Sequence, residues 1–213
     1  MERETERHAG ENGTAGKDAG APGEREWYSR GYLPHRDAVG LTQSITFRLA
    51  DSLPGERLKQ WEQELASLPE NRRLVERARR IQAWLDQGHG ECWLRDPRLA
   101  QLVEDTLLHF DGRSYRLLAW CVMPNHVHAL VELQPEHTLA GILHSWKSYT
   151  ASEANRWLGR RGAFWQREYQ DRFVRNEEHL QQAMEYIEQN PVKTGLVASP
   201  EHWRFSSAHH RQR

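Results

Sequence analysis

The stretch YRLLAWCVMPNHVHALVEL, residues 115–133, decides how the rest of the chain is interpreted. Two runs of apolar and β-branched residues flank Pro124 and Asn125, which is typical of two antiparallel strands joined by a tight connection. Side chains along a strand point to alternate faces, so His126 and His128 share one face, about 7 Å apart. The other face carries an apolar row: Val127, Ala129, Val131 and Leu133. Two imidazoles placed in this way can bind a divalent metal ion if other residues complete the site.

Length and composition indicate one globular domain. The chain has 213 residues, of which 38% are apolar and 28% charged, as in soluble proteins. No run approaches the roughly 20 apolar residues needed to span a bilayer, and the N-terminus lacks the apolar core of a signal peptide. Cys92 and Cys121 belong to no metal-type or disulfide-type cluster. We therefore expect a cytoplasmic protein.

The first part of the chain divides into a tail, a strand and an insertion. Residues 1–26 are rich in Gly, Ala, Glu and Arg and lack periodic apolar positions, which predicts a disordered tail ahead of a single domain over residues 27–213. Residues 42–50 alternate like a half-buried strand. Helical spacing over residues 54–87, interrupted at Pro69, predicts a helical hairpin inserted after that strand.

The remaining elements alternate between helices and strands. Asp96 and Pro97 are typical of a helix start, and a second helix is expected over residues 138–158. Residues 162–175 contain enough aromatic and β-type residues for a strand, although the alternation is irregular. The order strand, insertion, helix, two strands, helix, strand, helix predicts an α+β fold, an antiparallel sheet with packed helices.

The last predicted helix carries two further polar residues of interest. Asn176 is expected to cap this helix, and Pro191 is expected to end it. Tyr186 and Asn190 stand four residues apart and therefore lie on one flank, one above the other. An apolar stripe should dock the helix on the sheet: Leu180, Ala183 and Ile187. If it docks on the histidine face, Asn190 can add an amide oxygen to the metal site, with Tyr186 one turn away.

The sequence contains three separate motifs in this order: MPNHVHALVEL, FWQREYQDRFVRNEEHL and YIEQNPVKTGLV. Together they closely resemble the REP-associated tyrosine transposases, single-tyrosine members of the HUH endonuclease superfamily (IS200-like transposases). The resemblance runs from about residue 42 to residue 207, with the hairpin at 54–87 as an elaboration. It implies the ferredoxin-like antiparallel sheet of that superfamily. It also implies that His126 and His128 are metal ligands, Asn190 the third ligand and Tyr186 the nucleophile.

The resemblance implies cleavage of single-stranded or hairpin DNA and transfer of the cut strand through a 5′-phosphotyrosine intermediate. The expected DNA is a palindromic repeat dispersed in a bacterial chromosome, which places the protein at the nucleoid. Two imidazoles with one amide oxygen suit Mg²⁺ or Mn²⁺. Monomer and homodimer are both open: wider relatives work as dimers that exchange the tyrosine helix, whereas the short linker before Asn176 could equally serve a monomer acting in cis.

Local charge is compatible with a DNA partner although the net charge is only −1. Between residues 147 and 175 there are seven basic and three acidic residues, and arginine, which suits phosphate, supplies 25 of the 29 basic residues of the chain. The candidate DNA contacts are Arg30, Lys147, Arg156, Arg160, Arg161 and Arg167. The alternative for the helix-end arginines is simple solvation of that helix end.

Two other functions compete with strand transfer. The first is a non-catalytic protein that binds hairpin DNA and retains the transposase fold, against which the complete set of four site residues argues. The second is a histidine-triad nucleotide hydrolase, since HVHALV also places alternate histidines on a strand. That chemistry requires a third histidine at the next alternate position, where this chain has Leu130.

Overall fold

The computed structural model describes residues 40–212 and two short strands ahead of them, β1 (Tyr28–Ser29) and β2 (Pro34–His35), which pair antiparallel. The predicted tail at residues 1–26 and the candidate DNA contact Arg30 lie outside the described residues. In the part of the chain that is described, no helix has the length and apolar character needed to cross a membrane.

The centre of the fold is a four-stranded antiparallel sheet. Its strands are β3 (Thr42–Arg48), β4 (Tyr115–Val122), β5 (His126–Leu133) and β6 (Gln170–Phe173), in the order β4-β5-β3-β6. The predicted strand pair is therefore present, and the predicted α+β fold is confirmed. The histidine strand β5 is an inner strand, paired without interruption with β3 and, apart from a register shift between Leu117 and Ala119, with β4.

One face of the sheet carries the main core. Helices α3 (Pro97–His109) and α4 (Leu139–Trp157) pack here, and Asp96 caps α3 by accepting a hydrogen bond from the Arg98 N–H. The apolar row of β5 predicted from the sequence, including Val127 and Ala129, lies in this core. Trp146 of α4 is 1% exposed and packs in the same cluster. Alternation then dictates that the two histidines of β5 face the opposite side.

Helix α5 (Glu177–Lys193) packs on the histidine face. Asn176 caps it by accepting from the His179 N–H, and the predicted apolar stripe contacts the sheet, with Ile187 fully buried in a small cluster. The prediction that Pro191 ends the helix was wrong, because the helix continues to Lys193. Proline removes one N–H donor near the C-terminal end, and the turn still closes through the Thr194 N–H, which donates to the Asn190 carbonyl.

The inserted hairpin is also confirmed. It consists of α1 (Gly55–Leu65) and α2 (Glu70–Asp86). Ile81 and Leu85 of α2 form a small core with Leu53, which precedes α1. The end of α2 contacts the turn before β5, where the Leu85 carbonyl accepts a hydrogen bond from the Asn125 side chain. This contact places the hairpin against the histidine side of the sheet.

The strand predicted within residues 162–175 is much shorter than expected, since only β6 is regular. Phe164 and Trp165 are adjacent and both buried, at 2% and 6% exposure. A regular strand would send consecutive side chains to opposite faces, so this segment leaves strand geometry and keeps only an isolated bridge between Trp165 and Leu49. Beyond α5, a short helix α6 (Ser207–His210) completes the described chain.

Candidate active site

The two histidines of β5 form the centre of the site. His126 and His128 are 0% and 1% exposed, and their Nε2 atoms lie 3.0 Å apart. The ring planes are almost perpendicular, at 89°. Both nitrogens therefore converge on one small region on the face opposite the main core.

Asn125 determines which nitrogen of His126 carries the proton. Its Nδ2 donates to the backbone carbonyls of Leu85 and His89 at 3.2 and 3.0 Å, which fixes Oδ1 as an acceptor. That oxygen is 2.7 Å from Nδ1 of His126, so Nδ1 is the protonated nitrogen. Nε2 of His126 consequently presents a lone pair, as a metal ligand requires.

Two neighbouring side chains give His128 the same tautomer, with the proton on Nδ1 and the lone pair on Nε2. Its Nδ1 is 2.8 Å from the Thr46 hydroxyl on the adjacent strand β3. Its Nε2 accepts a hydrogen bond at 3.1 Å from Nδ2 of Asn190, which requires a lone pair there. Two imidazole lone pairs then face each other at 3.0 Å, an arrangement that a cation between them would stabilise.

Both imidazoles are held in the neutral form. Burial lowers the pKa of His126 well below its ordinary value, and the neighbouring His128 adds to the effect. Burial also lowers the pKa of His128 to about 3, with a further contribution from the positive charge of Lys193. Neutral imidazole is the form that coordinates metal ions.

The Asn190 side chain fits the third ligand position. It is 0% exposed, and its Oδ1 is buried without a hydrogen-bond partner. With a metal between the imidazoles, a half turn of the amide would replace the hydrogen bond from Nδ2 to His128 and direct Oδ1 at the metal. Among the described residues there is no group of three or more His, Cys, Asp or Glu side chains able to hold a metal ion, so a metal here needs amide oxygen in addition to the two imidazoles.

Tyr186 stands one helical turn before Asn190, at the mouth of the site. Its ring centroid is 5.7 Å from that of His128, and 40% of the residue is exposed. Burial of part of the side chain and the charge of Asp86 raise the pKa of Tyr186 to about 12. The charge of Arg172 and a hydrogen bond with Asn190 act in the opposite direction on this pKa, and the Lys193 ammonium lies 5.4 Å from the ring centroid.

The candidate DNA contacts occupy a different layer. Lys147 and Arg156 belong to α4, and Arg160 and Arg161 follow its end, on the side of the sheet away from the histidines. The Lys147 ammonium donates to the carbonyls of Gln166 and Arg167 at 2.6 and 2.8 Å. Arg156 pairs with Glu153, and the Arg160 guanidinium lies over the rings of Trp93 and Phe164. The structure does not bring this group to the histidine pair, and its contact with DNA stays a prediction.

Several residues of the site were not identified from the sequence. Thr46 and Gln82 contact His128 from elements far away in the chain, and no local pattern reveals such contacts. Arg48 lies opposite His126 in the β3–β5 ladder and is 4% exposed. The role of Asn125 could have been predicted from the sequence, because this residue directly precedes His126 and a metal-bound histidine commonly donates its second N–H to an acceptor.

The role of Asn125 yields a first prediction. We expect Asn125→Ala to lower the affinity for Mn²⁺ about 10- to 100-fold, as is usual when the hydrogen-bond partner of a ligating histidine is removed. The measurement is a calorimetric Mn²⁺ titration, with the exposed Asn71→Ala on α2 as the control. Parent-like affinity in a folded Asn125→Ala protein would show that the tautomer is set by other contacts.

The sheet and α5 bring His126, His128, Tyr186 and Asn190 close together, and their roles as ligands and nucleophile stay predictions. Residues 96–190 match the family described as Transposase IS200 like. This match relates the chain to the IS200-like transposases. The matched region contains all four predicted site residues, His126, His128, Tyr186 and Asn190, and leaves out the inserted hairpin and β3.

Two proteins similar to this chain are named as REP-associated tyrosine transposases. The chain is 28% identical over 105 residues to the "Putative REP-associated tyrosine transposase" of Haemophilus influenzae (strain ATCC 51907 / DSM 11121 / KW20 / Rd), a match that covers 45% of this chain and 60% of the relative. It also resembles a solved REP-associated tyrosine transposase bound to a REP hairpin, with a TM-score of 0.50 and 18% identity, over 86% of this chain and 82% of that one. At that identity the likeness shows the fold alone.

Proposed function

We propose that the chain is a metal-dependent DNA transposase that cleaves and transfers single-stranded or hairpin DNA through Tyr186. One observation carries the proposal: α5 brings the Asn190 amide to 3.1 Å from Nε2 of His128 and, one turn earlier, sets the Tyr186 ring against the same imidazole. This proximity of the proposed nucleophile to the proposed ligands within a single chain supports the proposal.

In the proposed reaction, the Tyr186 oxygen attacks a backbone phosphorus while the bond from phosphorus to the 3′ oxygen breaks. The phenol loses its proton and the 3′ oxygen gains one, which leaves a 5′-phosphotyrosine link and a free 3′-hydroxyl. Attack by the 3′-hydroxyl of another strand reverses these steps and rejoins the DNA. The covalent link conserves the bond energy, so strand transfer needs no external energy source.

His126, His128 and Asn190 would hold the metal. Mg²⁺ or Mn²⁺ in this position would supply Lewis-acid polarisation of the scissile phosphate. Of the two, Mn²⁺ matches imidazole nitrogen better, whereas Mg²⁺ prefers oxygen. The mixed donor set at this site therefore favours Mn²⁺.

The arginine side chain of Arg48, beside the histidine pair, supports a phosphate substrate. The buried Arg48 follows Thr46 by two residues on β3 and therefore shares its face with the histidines. Its Nε is buried without a hydrogen-bond partner, and burial, followed by the charge of Arg77, lowers its pKa to about 10. A guanidinium with a pKa near 10 is still charged at neutral pH and suits a DNA phosphate. A REP hairpin is the DNA bound by the solved relative, and we propose a hairpin of this kind as the substrate class.

The test is covalent capture of DNA by the full chain. We expect that protein incubated with Mn²⁺ and a hairpin oligonucleotide, chosen from inverted repeats flanking its own coding region, will form a denaturation-resistant adduct. Mass spectrometry of the digested adduct should place the 5′ phosphate on Tyr186. Chelator should abolish adduct formation. Chelator-insensitive hairpin binding without any adduct would instead favour the non-catalytic DNA-binding protein.

A further inference from the structure

The inserted hairpin reaches the metal site directly. Nε2 of Gln82, on α2, lies 3.5 Å from Nε2 of His128, the atom that Asn190 contacts from α5 at 3.1 Å. Gln82 and Asn190 are both carboxamides, and they approach the same imidazole nitrogen from two different helices. The inserted hairpin therefore lines one side of the site through Gln82.

We propose that Gln82 is a further protein ligand of the metal, supplied by the inserted hairpin. The inference rests on the proposed function, since it concerns the same metal. Mg²⁺ and Mn²⁺ bind preferably through oxygen and take about six ligands, and two imidazoles with one amide leave several positions open. A second amide oxygen raises the number of protein donors to four and keeps positions free for phosphate.

The surroundings of Gln82 are suited to this role. Asp86, one turn later on α2, accepts from Nε2 of Gln82 at 2.5 Å and lies 3.4 Å from the Lys193 ammonium on α5. Exchanging the two amide atoms in place would set Oε1 2.5 Å from the Asp86 carboxylate, so directing Oε1 at the metal requires the Gln82 side chain to turn away from Asp86. That carboxylate then keeps the Lys193 ammonium as its partner, so the rotation leaves no unpaired charge.

The Asp86–Lys193 pair also ties the two ligand-bearing helices together. Side-chain exposures of 16% and 57% make it a partly screened contact, which alone contributes little to stability. Its effect is on position: α2 and α5 are joined one helical turn from the two amides. Loss of either amide should therefore weaken the metal site without unfolding the sheet.

The experiment is an Mn²⁺ titration followed by electron paramagnetic resonance on the full chain without DNA. We expect Gln82→Ala to weaken Mn²⁺ binding about tenfold and Gln82→Glu, which offers a charged oxygen, to tighten it. Gln82→Asn, one methylene shorter, should weaken binding with the amide retained. Gln181→Glu on the exposed face of α5 makes the same charge change away from the site and should match the parent. Thermal unfolding checks that each variant is folded.

Two outcomes would overturn the inference, and they differ in what else they overturn. If Asn190→Ala weakens Mn²⁺ binding while all Gln82 variants match Gln181→Glu, Gln82 is no ligand and the proposed metal site stands. If the parent itself does not bind Mn²⁺, the metal dependence of the proposed function falls together with this inference.

Discussion

Tyr186→Phe is expected to abolish covalent capture of DNA, with a loss of cleavage on the order of 10⁴- to 10⁶-fold, the range seen when a catalytic nucleophile is removed. The substitution deletes one oxygen atom. The ring contact with His128 and the position under Lys193 remain available to phenylalanine. We therefore expect parent-like Mn²⁺ affinity and thermal stability, so that the loss lies in the chemical step. The measurements are single-turnover cleavage of a hairpin oligonucleotide and adduct formation on a denaturing gel.

Tyr149→Phe is the matched control for this experiment. Tyr149 is 56% exposed on α4, on the side of the sheet away from the histidines, and its hydroxyl should not affect cleavage. A Tyr186→Phe protein that cleaves as well as the parent would rule out the proposed nucleophile. Loss of activity in Tyr149→Phe alone would place the nucleophile on the other layer.

His128→Ala should cause the second large effect, a fall in Mn²⁺ affinity of at least about a hundredfold, together with loss of cleavage. His128 is the residue on which the other side chains of the site converge, since Thr46, Gln82 and Asn190 all contact its ring nitrogens. Calorimetric titration with Mn²⁺ measures the first effect, and the hairpin assay measures the second.

An exposed histidine provides the control for nonspecific metal binding. His137 lies in the connection after β5, and His137→Ala should bind Mn²⁺ like the parent. Unchanged affinity in folded His128→Ala would remove the metal from the proposed site. Cleavage that persists in that variant without metal would require another means of activating the phosphate.

Local patterns in the sequence were sufficient for most of the sheet. Alternation in β5 correctly placed His126 and His128 on one face, because a strand has a fixed period of two. Helical spacing likewise placed Tyr186 and Asn190 on one flank of α5. The two errors arose where tertiary packing outweighed local preference: Pro191 is buried at a helix end that still closes, and residues 162–169 leave strand geometry to bury adjacent aromatic residues.

The parts of the site that were missed depend on contacts between distant residues. Gln82 and His128 are separated by 46 positions and Thr46 and His128 by 82, and no period or motif relates such pairs. Residues 54–87 were recognised as a helical hairpin, yet their amphipathic spacing says which face is apolar and gives no information on the element it meets. The contribution of α2 to the site therefore emerges only from the three-dimensional arrangement.

The strand order gives the two halves of the site different mechanical properties. The imidazoles stand on an inner strand with a large core behind them, so the pleat of the sheet sets their separation. Tyr186 stands on α5, which contacts the sheet through a small cluster in which Ile187 is its one fully buried apolar side chain among the described residues. The same helix is also held by the buried Asn190 and by the Asp86–Lys193 pair with α2. Movement of α5 would therefore change the distances of Tyr186 and Asn190 from the histidine pair together, while the sheet would keep the separation of the two imidazoles unchanged.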